Sequence, residues 1–330
     1  MIISRTPFRI SFFGGGTDYP VWYQENRGAV LSTTIDKYCY ISARYLPPFF
    51  EHKHRIVYSY IENAKSTKEI RHPVVKALLY MMKISKGVEV HHDGDLPARS
   101  GLGSSSAFTV GMLNALCGLK RKMISKDELA RQAIHVEREL LHESVGSQDQ
   151  IAVAYGGFNK IIFQKDHEFR IDPITLSKER LMQLERHLIL LFTGISRFST
   201  KAAAEHIKNV HLNKKSLLLI REFVDQAIDI LDSDRDILEF GRLLDESWKL
   251  KRSLAKKISN ITINSIYEKA QRYGAVGGKL LGAGGGGFML LFVPPSKQKR
   301  FRQGMKEFLE VKFSFENEGS QIIYYNPQNI

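Results

Sequence analysis

The sequence predicts an α+β protein of two closely packed domains. Three observations point there. The chain has 330 residues, long for one hydrophobic core and short for three. Strand signals and helix signals occur in both halves, segregated rather than strictly alternating. The texture also changes between residues 165 and 187, from β-branched strands and glycine turns to long leucine-rich helices. That change divides the chain into domains at 1–175 and 176–330.

The elements follow in order. Residues 1–13 alternate apolar side chains and run into a turn at Gly14-Gly15-Gly16, which reads as a strand. Residues 29–45 are rich in β-branched and aromatic types and read as strands. Pro73 sits at a helix-start position, so 73–86 reads as a helix, and 87–92 alternates like a strand. The apolar run from Ala107 to Leu119 is helical. Ser125 precedes Glu128 by three residues, a capping box opening a helix over 125–143. Residues 158–172 read as a hairpin or sheet edge, 177–187 as a charged helix and 188–193 as an apolar strand. Leucine and isoleucine at three- and four-residue spacings make 199–273 mostly long amphipathic helices. A glycine-interrupted strand pair over 279–293 and a helix over 296–310 complete the reading.

Composition excludes several classes. Cys39 and Cys117 are too few and too isolated for a disulfide framework or a zinc cluster, so a reducing cytoplasm is the expected compartment. No run reaches the ~18 apolar residues of a membrane span. The most apolar stretch, Leu280 to Val293, is broken by five glycines. The N-terminal residues lack the apolar core of a signal peptide. The net charge of +13 suits anionic partners. No helix-turn-helix, zinc finger or RNP motif accompanies it, so phosphorylated small molecules are expected and nucleic acid is not. His91 and His92 lack a second ligand set and read as structural.

The segment Leu96-Pro97-Ala98-Arg99-Ser100-Gly101-Leu102-Gly103-Ser104-Ser105-Ser106-Ala107 places glycines and serines directly before a helix. Gly101 and Gly103 allow a sharp turn and close approach to a ligand. The N–H groups of Gly103 through Ala107 would then face outward with the helix dipole behind them, a site for polyphosphate. This is not a Walker A loop, because no Gly-x-x-x-x-Gly-Lys-Ser/Thr string occurs. The run Gly282-Ala283-Gly284-Gly285-Gly286-Gly287 satisfies G-x-G-x-x-G, yet a strand-like Phe288–Val293 follows where a dinucleotide fold needs a helix. Four consecutive glycines there mean that other backbone, or a ligand, comes very near.

Three segments together resemble the GHMP kinases, the galacto-, homoserine, mevalonate and phosphomevalonate kinases. They are Pro7-Phe8-Arg9-Ile10-Ser11-Phe12-Phe13-Gly14-Gly15-Gly16-Thr17-Asp18-Tyr19, the Pro97–Ala107 loop, and Lys279-Leu280-Leu281-Gly282-Ala283-Gly284-Gly285-Gly286-Gly287-Phe288. They stand in the family's order and spacing across nearly the whole chain. The resemblance implies a ribosomal-S5-like first domain, a ferredoxin-like second domain, and an active site in the cleft between them. It also implies ATP and Mg²⁺ as cofactors. Galactokinase carries Gly-Glu-His-Thr-Asp where this chain has Gly-Gly-Gly-Thr-Asp, so the pair that helps hold galactose is missing. Gly-Gly-Gly-Thr-Asp-Tyr-Pro with Gly28–Tyr38 looks most like the D-glycero-D-manno-heptose 7-phosphate kinases, which phosphorylate an anomeric hydroxyl in nucleotide-heptose synthesis. Fucose-type kinases carry a related motif and remain an alternative, as does a non-catalytic regulator on the same fold.

The resemblance assigns roles to residues. ATP phosphates would rest on Gly101, Leu102, Gly103, Ser104, Ser105 and Ser106, facing the glycine-rich loop at Gly284, Gly285 and Gly286. Mg²⁺ would sit between Ser105 and Glu137, with Ser104 or Ser106 as alternatives to the serine. Glu139 is an alternative to Glu137 by sequence alone, on a different helix face. Asp149, in Gly146-Ser147-Gln148-Asp149-Gln150, reads on its own as a turn or helix cap. The resemblance implies that it takes or orients the proton of the sugar hydroxyl. Arg9 would offset the charge of the transferred phosphoryl group. Asp18, with Gly15, Gly16 and Thr17, would hold the sugar. A phosphate on that sugar needs cations: Arg197 is the candidate, with Lys201 nearby and Lys37 as another. The oligomeric state is left open.

Overall fold

The structure is a computed structural model that describes residues 1–98, 100–195, 205, 207–255 and 257–327. The first half is organised by two long strands. β1 (Ile2–Phe13) and β2 (Gly28–Tyr45) pair antiparallel along almost their whole length. Between them the triple-glycine turn leads into a one-turn helix, α1 (Pro20–Tyr23). The predicted strands over 29–45 are this single strand, whose β-branched and aromatic content suits a pleated, half-buried surface. β3 (His54–Val57), β4 (Ile61–Ala64) and β5 (Val88–Gly94) extend the sheet in the order β2-β5-β3-β4, with β3 and β5 parallel. β6 (Phe158–Phe163) pairs with the start of β2 and with β7 (Phe169–Pro173), forming the predicted hairpin.

Helices carry the phosphate loop and its neighbours against this sheet. α2 (Pro73–Met81) starts at its proline but stops five residues short of expectation, where Lys83 takes a left-handed φ of 52°. α3 (Ser104–Leu119) is apolar nearly all round, because it is buried between β1, β2 and α5 (Gln148–Tyr155). Ser125 caps α4 (Lys126–His135) by accepting from Glu128 N–H at 3.1 Å. The reciprocal half of the box goes elsewhere: the Glu128 carboxylate accepts from Gln132 one turn on. The rest of the helix predicted over 125–143 is a π-helical turn, Val136–Leu140.

The second half has its own sheet. α6 (Lys178–His187) feeds β8 (Leu188–Phe192) directly. β8 pairs with β10 (Phe288–Phe292), which pairs with β9 (Gly277–Leu280), all antiparallel. The helices expected within 199–273 are α7 (Lys214–Leu231), α8 (Leu238–Ser253) and α9 (Ile261–Arg272), each burying one apolar stripe. The helix expected over 296–310 is only α10 (Gln298–Gly304), because Leu309–Val311 leaves it to become edge strand β11 beside β8.

The chain does not end in this second sheet. β12 (Phe315–Glu316) pairs with β2, and β13 (Gln321–Tyr325) pairs with β1, so residues that the sequence assigned to the second domain complete the first sheet. Buried polar contacts hold them there. Thr6 Oγ1 and Ser320 Oγ share a hydrogen bond of 2.8 Å, and Asn114 of α3 donates to the same serine. Ending the chain at Val311 should therefore damage the half it does not belong to in sequence. The expected outcome is a fall in melting temperature of roughly 10 °C or more, or insolubility, with protease cuts appearing first in 1–64. Calorimetry and limited proteolysis measure both, and unchanged melting would refute the placement.

Candidate active site

The phosphate loop needs its two glycines. Gly101 and Gly103 have φ of 83° and 76°, left-handed values that L residues rarely adopt. A Cβ at Gly101 would also lie 2.4 Å from Leu281 O, in the glycine-rich stretch of the other half. Gly103 is the residue before α3 and has no side chain with which to cap it, so an anion meets no competing cap at this helix start. Ala107 N–H is already bonded to Gly103 O, which ends the outward-facing donors at Ser106. Ser105 is exposed, Ser104 intermediate and Ser106 buried.

Arg9 ties this loop to Asp149. Its guanidinium meets the carboxylate as a fork, Nε to Oδ1 and Nη2 to Oδ2, both 2.8 Å. Nη1 donates to Gly101 O at 2.7 Å, and the Arg9 backbone N–H donates to Leu102 O. Arg9 is 2% exposed and spends its fork on protein. It therefore positions Asp149 against Gly103, whose Cβ position lies 3.7 Å from Asp149 Oδ2.

The first turn of α5 reaches three ways at once. Gln148 Nε2 donates to Asp18 Oδ2 at 2.9 Å, Asp149 takes Arg9, and Gln150 Nε2 donates to Glu137 Oε2. Consecutive helical residues fan out by about 100° each, so one turn addresses three different neighbours. Asp18 is 1% exposed and also accepts from Gly16 N–H at 2.9 Å. Burial raises its carboxyl above the usual range, and the Asp149 charge adds to this against the pull of its hydrogen bonds. The Thr17 hydroxyl is consumed by the turn itself, donating to Gly14 O and Ala29 O. Gly15 stands where these groups meet: a Cβ there would lie 3.7 Å from both Gln148 Nε2 and Lys251 Nζ and 3.8 Å from Ser11 Oγ, ordinary contact distances.

Glu137 sits in the π-helical turn, which swings it inward until it is fully buried. Ser106, rather than Ser105, meets it: Ser106 Oγ donates to Glu137 Oε2 at 3.0 Å. Glu139 points to solvent beside Arg138. Burial lifts the Glu137 carboxyl to about 7, against opposing hydrogen bonds from Thr109, Gln150 and Ser106. Glu137 Oε1 is buried and has no hydrogen-bond partner among the described residues. An orphaned carboxylate oxygen beside a serine hydroxyl at the phosphate loop fits Mg²⁺, which takes one or two protein oxygens and completes its shell with phosphates and water. Among the described residues no cluster of three or more His, Cys, Asp or Glu could hold a metal alone.

Two lysines from the second half complete the constellation. Lys251 of α8 donates to Gly282 O at 2.9 Å. Burial lowers its ammonium to about 8, with Asp18 and Asp149 opposing and Arg9 reinforcing. Lys279 of β9 is 3% exposed and donates to Ser11 O and Phe12 O, both at 2.8 Å. Burial holds it well below the usual lysine value. Lys251 was missed in the sequence, although a signal existed. Leu244, Trp248 and Lys251 follow a four- and three-residue spacing, so the lysine shares the buried face of its helix.

The glycine-rich loop approaches protein backbone. Gly285 N–H donates to Ile258 O, a Cβ at Gly286 would strike Ile195 O at 2.5 Å, and Phe288 N–H donates to Ser100 O of the phosphate loop. Lys37 binds Asp36 through its carbonyl and carboxylate. Arg197 and Lys201 lie outside the described residues. His91 pairs with Glu89, and His92 lies edge-on to Phe108.

The model of the GHMP kinase N-terminal domain matches residues 71–157, and that of the C-terminal domain matches residues 220–311. A D-glycero-alpha-D-manno-heptose 7-phosphate kinase of Campylobacter jejuni is 31% identical, the alignment covering 96% of this chain and 97% of that one. The chain belongs to the GHMP kinases. A second GHMP kinase, the galactokinase of Pyrococcus furiosus, is 25% identical over 95% of each chain. The crystal structure of a D-glycero-D-manno-heptose 1-phosphate kinase from Bacteroides thetaiotaomicron shares the fold, with a TM-score of 0.77 at 23% identity over 98% of this chain and 99% of that one. As a GHMP kinase the chain is a phosphotransferase acting on an alcohol group.

Two expectations test this geometry. A Gly15→Ala methyl meets only ordinary contact distances, so folding should be unaffected. It fills the space bounded by Gln148, Lys251 and Ser11, and the Michaelis constant for the acceptor should rise about tenfold or more while that for ATP stays unchanged. Steady-state kinetics separate the two constants. Glu137 supplies the second test. Its folded-state value of about 7 exceeds the ordinary 4.5, so the folded protein holds the extra proton and loses stability as pH climbs between those values. The loss is on the order of 3 kcal/mol in metal-free protein. Glu137→Gln should flatten that slope, and Mg²⁺ with nucleotide should offset it in the wild type, as melting curves across this pH range would record.

Proposed function

We propose that the chain is an ATP-dependent kinase of the anomeric hydroxyl of a heptose phosphate, converting D-glycero-D-manno-heptose 7-phosphate into the 1,7-bisphosphate. The observation that carries the reading is Asp149, held by the Arg9 fork against the phosphate loop, with Asp18 bridged to the same helical turn by Gln148. The heptose is favoured because the full-length likeness at 31% identity is to a heptose 7-phosphate kinase. The absence of galactokinase's Glu-His pair before Thr17-Asp18 argues in the same direction.

In this reading the sugar lies over Gly15 with ring hydroxyls donating to Asp18. The anomeric hydroxyl donates to Asp149, which fixes its direction and takes its proton as the oxygen attacks the γ-phosphorus of ATP. The new bond forms from the sugar oxygen to phosphorus, the bond from phosphorus to the β,γ-bridging oxygen breaks, and ADP leaves. Mg²⁺ held by Glu137 and Ser106 would neutralise charge on the β- and γ-phosphates. Gly101–Ser106 orient the phosphates through backbone N–H groups and hydroxyls. Arg197 and Lys201 are the proposed cations for the substrate's own phosphate. The reaction suits a cytoplasmic enzyme with ATP and a sugar phosphate as its partners.

The test is ATP consumption with Mg²⁺ against D-glycero-D-manno-heptose 7-phosphate, free heptose, fucose, mannose, galactose and mevalonate. Turnover confined to the heptose phosphate is expected. Asp149→Asn should lower kcat by about 10²–10⁴-fold. Preference for a free sugar would remove the phosphate requirement. ATP binding without any turnover would favour a non-catalytic regulator.

A further inference from the structure

We propose that Lys251 is the group with which the second half of the protein grips the acceptor oxygen of the sugar during phosphoryl transfer. The inference rests on the sugar-kinase reading of the site and extends it, since nothing in the three family motifs includes this residue.

The first observation is where the ammonium lies. Its helix, α8, belongs to the opposite half from Arg9, Asp18 and Asp149, yet Nζ reaches to 3.7 Å from the Cβ position of Gly15. Gly15 adds no atoms of its own to that space. The second observation is donor accounting. An ammonium has three N–H donors. One is bonded to Gly282 O, which anchors the side chain to the glycine-rich loop. Asp18 and Asp149 both act on the lysine electrostatically, but it forms an ion pair with neither. A positioned cation between two carboxylates, with donors to spare, is suited to an oxygen held by those same carboxylates.

The third observation is independent of the lysine. Among the described residues, Ser11 Oγ and Gln148 Oε1 are buried without a hydrogen-bond partner. Ser11 Oγ lies 3.8 Å from the Gly15 Cβ position, and the Gln148 amide borders the same point. Buried polar atoms without partners are costly unless a ligand supplies them. A hydroxyl and an amide oxygen without partners, on side chains that neighbour a cation, suit a polyhydroxylated ligand: its hydroxyls would donate to Ser11 and Gln148, and one oxygen, gaining negative charge, would accept from Lys251. An apolar ligand would leave all three unsatisfied.

The electrostatics agree. The charged groups around Lys251 are Asp18 after β1, Asp149 on α5, Arg9 on β1 and Lys279 on β9. Burial lowers the ammonium to about 8, with Asp18 and Asp149 opposing and Arg9 reinforcing, so part of the population is neutral just above physiological pH. Phosphoryl transfer passes its proton to Asp149 while charge gathers on the transferring oxygens. A cation at the acceptor oxygen stabilises that state more than the bound sugar alcohol, so its effect belongs in kcat more than in the Michaelis constant.

The experiment uses the full chain and whichever sugar the wild type phosphorylates. Lys251→Met keeps the length of the stem and removes the charge; Lys251→Arg keeps the charge without the titration. Melting curves check folding, and Lys251→Gln replaces the methionine variant if that one unfolds. The expected result for Lys251→Met is a fall in kcat of about 10²-fold, a smaller rise in the sugar's Michaelis constant and no change in that for ATP. Lys251→Arg should recover part of kcat. A decline in wild-type kcat/KM is expected as pH rises through about 8, and Lys251→Arg should abolish it. Wild-type kcat in the methionine variant would overturn the proposal, and so would an unchanged alkaline decline in the arginine variant. A wild type that prefers another sugar overturns the heptose reading alone. A wild type that phosphorylates no sugar overturns both.

Discussion

The bidentate pair between Arg9 and Asp149 is the interaction on which the rest of the site depends. It joins β1 to α5, and through Gly101 O it joins both to the phosphate loop. A lysine could not replace this arginine, because a point charge cannot fork across a carboxylate and still reach a carbonyl. The pair also sets a demand on the fold. α5 must arrive at β1 with its first turn inward, and that orientation puts Gln148 on Asp18 and Gln150 on Glu137. Asp18, Asp149 and Glu137, the carboxylates proposed for sugar, proton and metal, are thus positioned by one turn of helix. An error in its placement would disturb all three.

The second constraint is that neither half owns the site. Gly101 packs on Leu281 O, Phe288 N–H bonds Ser100 O, and Lys279 binds the backbone at Ser11 and Phe12. These contacts run between the phosphate loop, the first strand and the glycine-rich loop. They explain why glycine is required on both sides, since a single Cβ at Gly101 collides with the partner loop. β12 and β13 strengthen the coupling by carrying the C-terminal segment back across the first sheet. Motion between the halves must therefore bend a chain that crosses between them more than once.

Much of this arrangement was legible in the sequence because it depends on local chemistry. Glycine pairs, a serine run before an apolar helix and an arginine inside an apolar strand mark positions with few physical explanations. The parts that escaped depend on distant partners. Ser106 and Ser105 are adjacent in sequence, and only the inward swing of the π-helical turn selects Ser106 for Glu137. Thr17 looks like a substrate contact until Gly14 O and Ala29 O are seen to occupy its hydroxyl. Arg9 also has a positioning part that its place in the strand does not announce, since three of its five guanidinium N–H donors go to Asp149 and Gly101 O. Gln321–Tyr325 is a run of β-branched and aromatic residues that deserved a strand assignment. Its partner β1 lies more than 300 positions away, beyond the reach of any local pattern.

The site's charges are shifted in a direction that fits its proposed work. Burial pushes Asp18 and Glu137 up and Lys251 and Lys279 down, so groups of both signs are drawn toward neutrality. Desolvation alone produces this pattern when the charges that would balance each group are missing. In the proposed reaction the negative charge gathering on the acceptor oxygen would stand beside Lys251, and a divalent cation would stand beside Glu137. Each would restore the ionised form of the residue it meets. The coupling is reciprocal, because ionisation of Glu137 that tightens metal binding must be favoured by that binding to the same degree. A buried site built this way would reach its full charge only with its ligands in place, which is the state that performs transfer.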